Sequence, residues 1–474
     1  MRAMTKKTGS EQARRGRPTR VVTAKATRKP QAHPQGWPDR IAMAAERRRV
    51  FLELLGDDAA VLGSAPISTR SNDTEFDYRA DSDLVYVTGF DEPECVAVFV
   101  PRHPEHQWVL FVRPRDPERE RWDGDRAGLE GARQRYGADA AFPIAELGAR
   151  LPDLLAHGAR LHCRLGRNPV FDEALLAAFR TGLARRPRSN KGPTEIVDLG
   201  RTLHEMRLCK THDELSILRR AAEITAQGHQ AAMRAALPGV REYELAALLE
   251  YTYRKLGAEA SGYSPIVATG ANATVLHYRR NRDTLEAGQL LLIDSGAEFS
   301  YLTADVTRTF PVSGAMSRPQ RRIYDIVLDA QLAAIGEVQP GRPFGAAHKA
   351  AVRVLTTGLV RLGLIDGPVD VAIEEGRFRK YYMHRTGHWL GMDVHDVGVY
   401  GEGDGRDLEA GVVVTVEPGL YFPPELDDVP DEYRGIGVRI EDDVLVTERG
   451  HEVLTAAIPK TPSDMARAKG RTSA

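Results

Sequence analysis

Two apolar runs in the carboxy-terminal half of this 474-residue chain end abruptly in a carboxylate. The run 291–293 leads into Asp294, and the run 412–416 leads into Glu417. Such continuous apolar runs are typical of buried strands. Burying an unpaired carboxylate costs on the order of several kcal/mol or forces the group to take up a proton. The fold must therefore bring a cation to the end of the second run.

A further carboxylate opens the strand that follows the first run. Asp305 lies eleven residues after Asp294 and begins the segment 305–308, Asp-Val-Thr-Arg. A single aspartate at a strand end is usually a turn or cap residue. A hairpin between the two strands would instead place both aspartates side by side.

Three histidines are concentrated in the segment 382–396, namely His384, His388 and His395. Any one of them could be a core histidine whose hydrogen bonds are satisfied. Three within twelve positions, among apolar residues and glycines, indicate a functional site.

The segment 437–442 alternates strictly, so that Arg439 and Glu441 share one face of a strand. That charged face is either solvated or turned inward to complete the carboxylate cluster. Hydrolysis by paired metal ions requires hard oxygen donors, a bridging carboxylate and usually a histidine. The carboxy-terminal half contains all of these residue types.

Taken in order, these residues resemble the ligand set of the pita-bread metallopeptidases, and within them the aminopeptidase P group, or Xaa-Pro aminopeptidases. The matching positions are Asp294, Asp305, His388, Glu417 and Glu441. The segments 70–79, 81–84 and 89–94 look like the non-catalytic amino-terminal domain of that group. Methionine aminopeptidases usually lack such a domain, so they fit less well.

The resemblance implies a centre of two divalent metal ions. Asp294 would chelate one ion, Asp305 and Glu441 would bridge both, and His388 with Glu417 would complete the other. Glu417 would also take the proton from the bridging water, whose hydroxide attacks the peptide bond. Oxygen-rich ligation with one imidazole suits Mn²⁺, the expected ion, although Co²⁺, Fe²⁺ and Zn²⁺ also bind such sets.

Five further residues acquire substrate roles from the same resemblance. His277 and His395 would contact the substrate near the scissile carbonyl and stabilise the developing oxyanion. His384 and Arg439 would frame the proline subsite, with Tyr421 supporting them. The implied reaction removes the amino-terminal residue from peptides that carry proline at the second position.

Other functions remain open at this point. A prolidase shares the fold and ligands but prefers the dipeptide Xaa-Pro. Some pita-bread domains are metal-free binding modules, and a creatine-hydrolysing relative has the same two-domain plan. Both lack the ligand set that is filled here. The family also associates through its amino-terminal domains, which predicts a homodimer or homotetramer.

The length of the chain exceeds what one hydrophobic core usually supports, which predicts two folded domains. The pattern of helices and strands predicts an α/β unit at 41–195, a linker at 185–193, a catalytic domain at 196–457 and a tail at 458–474. With the resemblance, the fold class is α/β (α+β). A small creatinase-like amino-terminal domain precedes a pita-bread domain with a curved, mostly antiparallel sheet.

Composition restricts where the protein acts. Residues 1–40 contain eleven Lys and Arg residues against two acids, which predicts a disordered basic tail, or a transit peptide if the protein is mitochondrial. Three scattered cysteines favour a reducing compartment, so a cytoplasmic location is expected. No apolar run is long enough for a membrane span, and no aromatic residues interleave the basic ones to suggest nucleic-acid binding.

Overall fold

The amino-terminal part of the chain is a mixed sheet covered by helices. A computed structural model describes residues 37–470. The elements of this part are α1 (Arg40–Leu55), β1 (Ala59–Gly63), β2 (Thr69–Ser71), β3 (Thr74–Glu75), α2 (Ser82–Thr88), β4 (Val96–Phe99), β5 (Trp108–Val112), α3 (Glu120–Asp123), α4 (Gly128–Gln134), β6 (Ala140–Pro143), α5 (Leu147–Leu155), β7 (Leu161–Cys163), α6 (Pro169–Ser189) and β8 (Ile196–Asp198).

Six of these strands form one sheet in the order β6-β5-β4-β1-β7-β8. Strands β1, β4 and β5 pair antiparallel, whereas β5–β6, β1–β7 and β7–β8 pair parallel. Every residue of β4 and β5 is buried, as expected for apolar strands with helices on both faces. We refer to elements α1 to β8 as the amino-terminal domain.

The predicted linker at 185–193 is wrong. Helix α6 continues to Ser189 with Pro187 inside its last turn, and Asn190 ends it in the left-handed conformation. Strand β8 then pairs with β7, so the sheet extends past the predicted boundary at 195. A polar, proline-containing stretch resembles a linker in sequence, but here it is the exposed end of a helix.

The carboxy-terminal part consists of helices around short antiparallel ladders, and we call it the carboxy-terminal domain. Its elements are α7 (Gly200–Leu208), α8 (His212–Ala235), α9 (Glu242–Lys255), β9 (Ala260–Ser261), β10 (Ile266–Thr269), β11 (Leu290–Asp294), β12 (Ala297–Phe299), β13 (Leu302–Thr303), β14 (Thr307–Pro311), α10 (Arg318–Gly336), α11 (Gly345–Arg361), α12 (Val369–Glu374), β15 (Val413–Val416), β16 (Gly419–Phe422), β17 (Ile436–Arg439), β18 (Asp442–Thr447), β19 (Gly450–Val453) and α13 (Pro462–Ala468).

The ladders of this domain are β10-β11-β14, β13-β12-β9, β15-β18-β19 and β16-β17, and each of their strand pairs is antiparallel. The predicted fold class and the mostly antiparallel pairing are confirmed. Helix α8 begins with a capping box, in which the Thr211 hydroxyl accepts from the backbone N–H of Glu214 and the Glu214 carboxylate accepts from that of Thr211. Within the described range 37–470, no helix is long and apolar enough to cross a membrane.

The two predicted tails differ in outcome. The segment 458–474 was expected to be a tail, but its described part carries α13, whose Met465 is buried. The ammonium of Lys469 donates to the carbonyl oxygens of Pro311 at 2.8 Å and Val312 at 3.0 Å, which ties this end to the domain. Residues 1–36 of the basic tail predicted at 1–40 lie outside the described residues, so their disorder stays a prediction, whereas Asp39 caps α1 and Arg40 begins it.

Candidate active site

The two aspartates, Asp294 and Asp305, lie together at one end of the β10-β11-β14 ladder. Asp294 is the last residue of β11 and pairs with Thr307 of β14, two residues after Asp305. The phenol oxygen of Tyr263 contacts both carboxylates, with Asp294 Oδ1 at 2.5 Å. Since a phenol has one proton, it can donate to only one of them. The three oxygens therefore form a buried cluster that is short of positive charge.

His388 faces this cluster through one defined ring nitrogen. Its Nδ1 lies 2.9 Å from the carbonyl oxygen of Trp389, so Nδ1–H donates and Nε2 is the ring nitrogen that faces the carboxylates. Nε2 lies 3.4 Å from Asp305 Oδ2 and 3.7 Å from Glu417 Oε1. A metal ion that binds on the carboxylate side would replace the proton on Nε2.

Glu417 reaches the site because two chain segments pair beside it. The N–H of Glu417 donates to the Thr386 carbonyl at 2.7 Å, and the N–H of Thr415 donates to the His388 carbonyl at 3.0 Å. A Cβ on Gly387 would lie 2.0 Å from the Thr415 carbonyl oxygen, so only glycine permits this close approach. The end of β15 and the segment 386–388 are thus held side by side.

The single strand predicted at 437–442 is wrong, because the strand is interrupted at residues 440–441. Strand β17 pairs with β16, whereas β18 pairs with β15 and β19. The break lets the N–H of Glu441 donate to the Thr307 carbonyl at 3.0 Å, while the Thr307 hydroxyl donates to Glu441 Oε2 at 2.6 Å. Glu441 is 2% exposed and Arg439 4%. Their charged face therefore points inward.

Ligand atoms of Asp305, His388 and Glu441 lie within 4.8 Å of one another. Burial, and then the neighbouring carboxylates, raise the pKa of Glu441 well above its usual range. Burial likewise raises the pKa of Glu417 to about 7. For His388, burial opposes the charge, but Asp305 and Glu417 outweigh it and raise the pKa to about 9. The cluster holds more negative charge than its own cations neutralise, and its oxygen-rich donor set fits divalent metal ions.

Arg439, Tyr421 and His384 form a hydrogen-bond chain beside the cluster. A guanidinium N–H of Arg439 donates to Asp294 Oδ2 at 2.6 Å and another to the Tyr421 oxygen at 3.2 Å. His384 donates from Nδ1 to the Arg385 carbonyl at 2.8 Å, so its Nε2 accepts from the Tyr421 hydroxyl at 2.8 Å. Burial and then Arg439 lower the pKa of His384 to about 3, which keeps its ring neutral.

The two remaining histidines lie on separate loops. The ring of His395 packs edge-on against that of His388, with centroids 4.4 Å apart, and burial lowers its pKa. His277 is exposed and follows the 3-10 helix Gly270–Thr274. The next residue, Tyr278, holds this loop in place, because its hydroxyl donates to the buried Glu242 at 2.8 Å.

Four residues that build the site have no recognisable signature in the sequence: Tyr263, Thr307, Asp443 and Glu242. Asp443 accepts from the backbone N–H of Asp305 at 3.2 Å and so fixes the backbone position of that aspartate. Tyr263 lies in an irregular segment between β9 and β10 with no pattern around it. A buried glutamate at the start of a helix, such as Glu242, resembles the usual first-turn carboxylate.

Comparison with known proteins gives consistent matches to both domains. Residues 216–448 match the family described as "Metallopeptidase family M24", and residues 44–162 match "Aminopeptidase P, N-terminal domain". The chain is 41% identical to the Xaa-Pro aminopeptidase of Escherichia coli over 424 residues, covering 89% of this chain and 96% of that protein. It is also 41% identical to the Xaa-Pro aminopeptidase of Haemophilus influenzae, covering 88% and 95%.

The fold is similar as well. The solved structure of Pseudomonas aeruginosa aminopeptidase PepP superimposes with a TM-score of 0.88 at 46% sequence identity, and the match covers 92% of this chain and 98% of that one. The similarity therefore spans both domains.

Proposed function

Because the chain belongs to metallopeptidase family M24 and carries the amino-terminal domain of aminopeptidase P, we propose that it removes the amino-terminal residue from peptides with proline at the second position. The observation that carries the proposal is the convergence of the ligand set with a neutral His384 and a buried Arg439 beside it. Relatives that match over most of both chains are Xaa-Pro aminopeptidases. The filled ligand set argues against a metal-free binding module.

The metal centre is proposed to hold two divalent ions, with Mn²⁺ as the native metal. Asp294 would bind one ion, and His388 with Glu417 would bind the other. Asp305 and Glu441 would bind both ions. The donor chemistry supports this assignment, since the buried Asp294, Asp305 and Glu441 lie beside the partly buried His388 and Glu417, with Arg439 as the adjacent guanidinium. When bound, the ions supply the Lewis acidity that makes an attacking hydroxide available near neutral pH.

Glu417 is proposed to accept the proton of the attacking water. Its Oε1 faces His388, and its Oε2 lies 3.8 Å from Nδ1 of His384, so the carboxylate stands between the metal ligands and the proline subsite. His277 and His395 would donate hydrogen bonds to the developing oxyanion. Arg439, Tyr421 and His384 would form one wall for the prolyl ring, and their mutual hydrogen bonds hold that wall in place.

We expect metal-stripped protein to release almost no amino-terminal residue from an Xaa-Pro-Yaa peptide, with activity rising on Mn²⁺ addition to a plateau at two equivalents per chain. Amino-acid release and metal content are measured together, with Co²⁺ and Zn²⁺ in parallel. A plateau at one equivalent would contradict the two-ion centre. Turnover of the dipeptide Xaa-Pro alone would identify a prolidase instead.

The protein is further proposed to form a homodimer or homotetramer through its amino-terminal domain. Trp122 is 85% exposed and Phe76 57% exposed on that domain, and exposed aromatic side chains are enriched at subunit contacts. Sedimentation of the full chain over a range of concentrations is expected to show a dimer or tetramer. Trp122→Ser should weaken the association. A monomer at every concentration would contradict this expectation.

A further inference from the structure

A buried ionic cluster joins the amino-terminal domain to the loop 389–396, which carries His395. At its centre is Arg207 of α7, which is 3% exposed. One of its terminal nitrogens donates to Asp83 Oδ1 at 2.6 Å. The other donates to Asp393 Oδ2 at 2.8 Å and to Asp396 Oδ1 at 2.6 Å. One guanidinium therefore binds one carboxylate of the amino-terminal domain and two of the carboxy-terminal domain.

The carboxylates of this cluster have further partners that fix their orientation. Lys210, also buried, donates to Asp396 Oδ2 at 3.0 Å. The Ser82 hydroxyl of α2 donates to Asp393 Oδ1 at 2.6 Å. Arg79 donates to the Met392 carbonyl at 2.7 Å, within the same loop. The bonds of Ser82 and Arg79 cross from the amino-terminal domain to the loop 389–396, and Lys210 reaches the same loop from between α7 and α8.

The same loop carries His395 between the two aspartates that Arg207 binds. The loop is closed by the N–H of Asp396, which donates to the Trp389 carbonyl at 2.9 Å. It is tight, because a Cβ on Gly391 would lie 2.1 Å from a carboxylate oxygen of Asp396. A shift of Asp393 or Asp396 would therefore move His395 relative to His388.

We infer that Arg207 is a positioning residue for His395, and that the amino-terminal domain contributes to catalysis through Asp83. The inference rests on the proposed function, in which His395 contacts the scissile carbonyl. Charged groups held by several short hydrogen bonds in a buried place are geometrically well defined. Such support is what holds a reacting group within a fraction of an ångström of its productive position.

Arg207→Met keeps an unbranched chain of similar reach and removes the charge. Displacement by about 1 Å of a group that acts in the transition state can lower the rate about 100-fold. We expect kcat to fall 10- to 100-fold and KM to change less than about threefold, because His395 acts mainly on the transition state. Asp393→Asn, at a partly exposed position, is expected to shift kcat in the same direction by a smaller factor.

Arg47→Met is the matched control. Arg47 of α1 forms a buried ion pair with Glu214 of α8 at 2.8 Å, which also joins the two domains. Its hydrogen bonds go to the Tyr86 carbonyl and to Met43, which lie outside the loop 389–396. Its removal should leave kcat within about twofold of wild type. Equal losses of kcat in Arg47→Met and Arg207→Met would show that Arg207 acts only through general stability.

A double-mutant cycle separates positioning from other effects. In a His395→Ala background, Arg207→Met should lower kcat by less than about twofold, because the residue that it positions is absent. Full additivity of the two losses would overturn the inference. Wild-type turnover of Xaa-Pro-Yaa peptides reports on the proposed function separately, so an active wild type with an additive cycle disproves only the role of Arg207. If Arg207→Met does not fold, Asp393→Asn replaces it in the same cycle.

Discussion

Replacing Glu417 by glutamine is expected to lower kcat for Xaa-Pro-Yaa hydrolysis by about 10³-fold or more, since general base catalysis alone contributes about 10²- to 10⁴-fold. Glutamine preserves the shape of the side chain and its place at the end of β15, but it cannot accept the proton of the attacking water. It also weakens one metal position, so metal content is measured with kcat. Glu425→Gln, at an exposed position shortly after β16, should leave both kcat and the metal content unchanged.

The same variant has an expected effect on the metal-stripped protein. Burial raises the pKa of Glu417 to about 7, above its usual 4.5, so the native state binds more protons than the unfolded chain between these values. The contribution of Glu417 to the unfolding free energy of the protein should therefore decrease as pH rises from 4.5 to 7. Glu417→Gln removes this contribution and should flatten the pH profile of urea unfolding. An unchanged profile, or activity near the wild-type level, would contradict the role assigned to Glu417.

The strands that carry three of the proposed ligand residues could be predicted from sequence because the pattern around each of them is local. Asp294 and Glu417 follow apolar runs, and the strands that these runs predict, β11 and β15, are present. The pairing of β11 with β14 likewise brings Asp305 close to Asp294. Such features depend on residues close together in the chain, where periodicity carries the information.

Features that depend on distant contacts could not be predicted in this way. The alternation at 437–442 is compatible with one strand, and only the separate pairing of β17 with β16 and of β18 with β15 shows the break at Glu441. Tyr263 contacts the aspartates only because its irregular segment passes over the ladder. Arg207 resembles any arginine of an amphipathic helix, and its three carboxylate partners come from positions far away in the sequence.

Gly296 has no functional side chain, but it sets the spacing of two proposed metal ligands. It lies two positions after Asp294, and the Ala304 carbonyl oxygen, one position before Asp305, would be 1.7 Å from a Cβ at this glycine. The backbones that carry the two aspartates cross at this point. The N–H of Ser295 donates to the Val306 carbonyl at 3.0 Å, so the crossing is also held by a hydrogen bond.

Gly296→Ala is therefore expected to lower the unfolding free energy by about 3 kcal/mol or more, toward the upper end of overpacking effects, because backbone rather than a flexible side chain must shift. The shift separates Asp294 from Asp305, so metal content and peptide hydrolysis should fall even under conditions where the variant stays folded. Urea unfolding, circular dichroism and metal analysis measure the three effects. Gly336→Ala is the control: a Cβ there meets nothing within 4 Å at the end of helix α10, and alanine should stabilise the helix by about 0.5–1 kcal/mol. A Gly296→Ala protein with full metal content would mean that the crossing does not set the spacing of the two ligands.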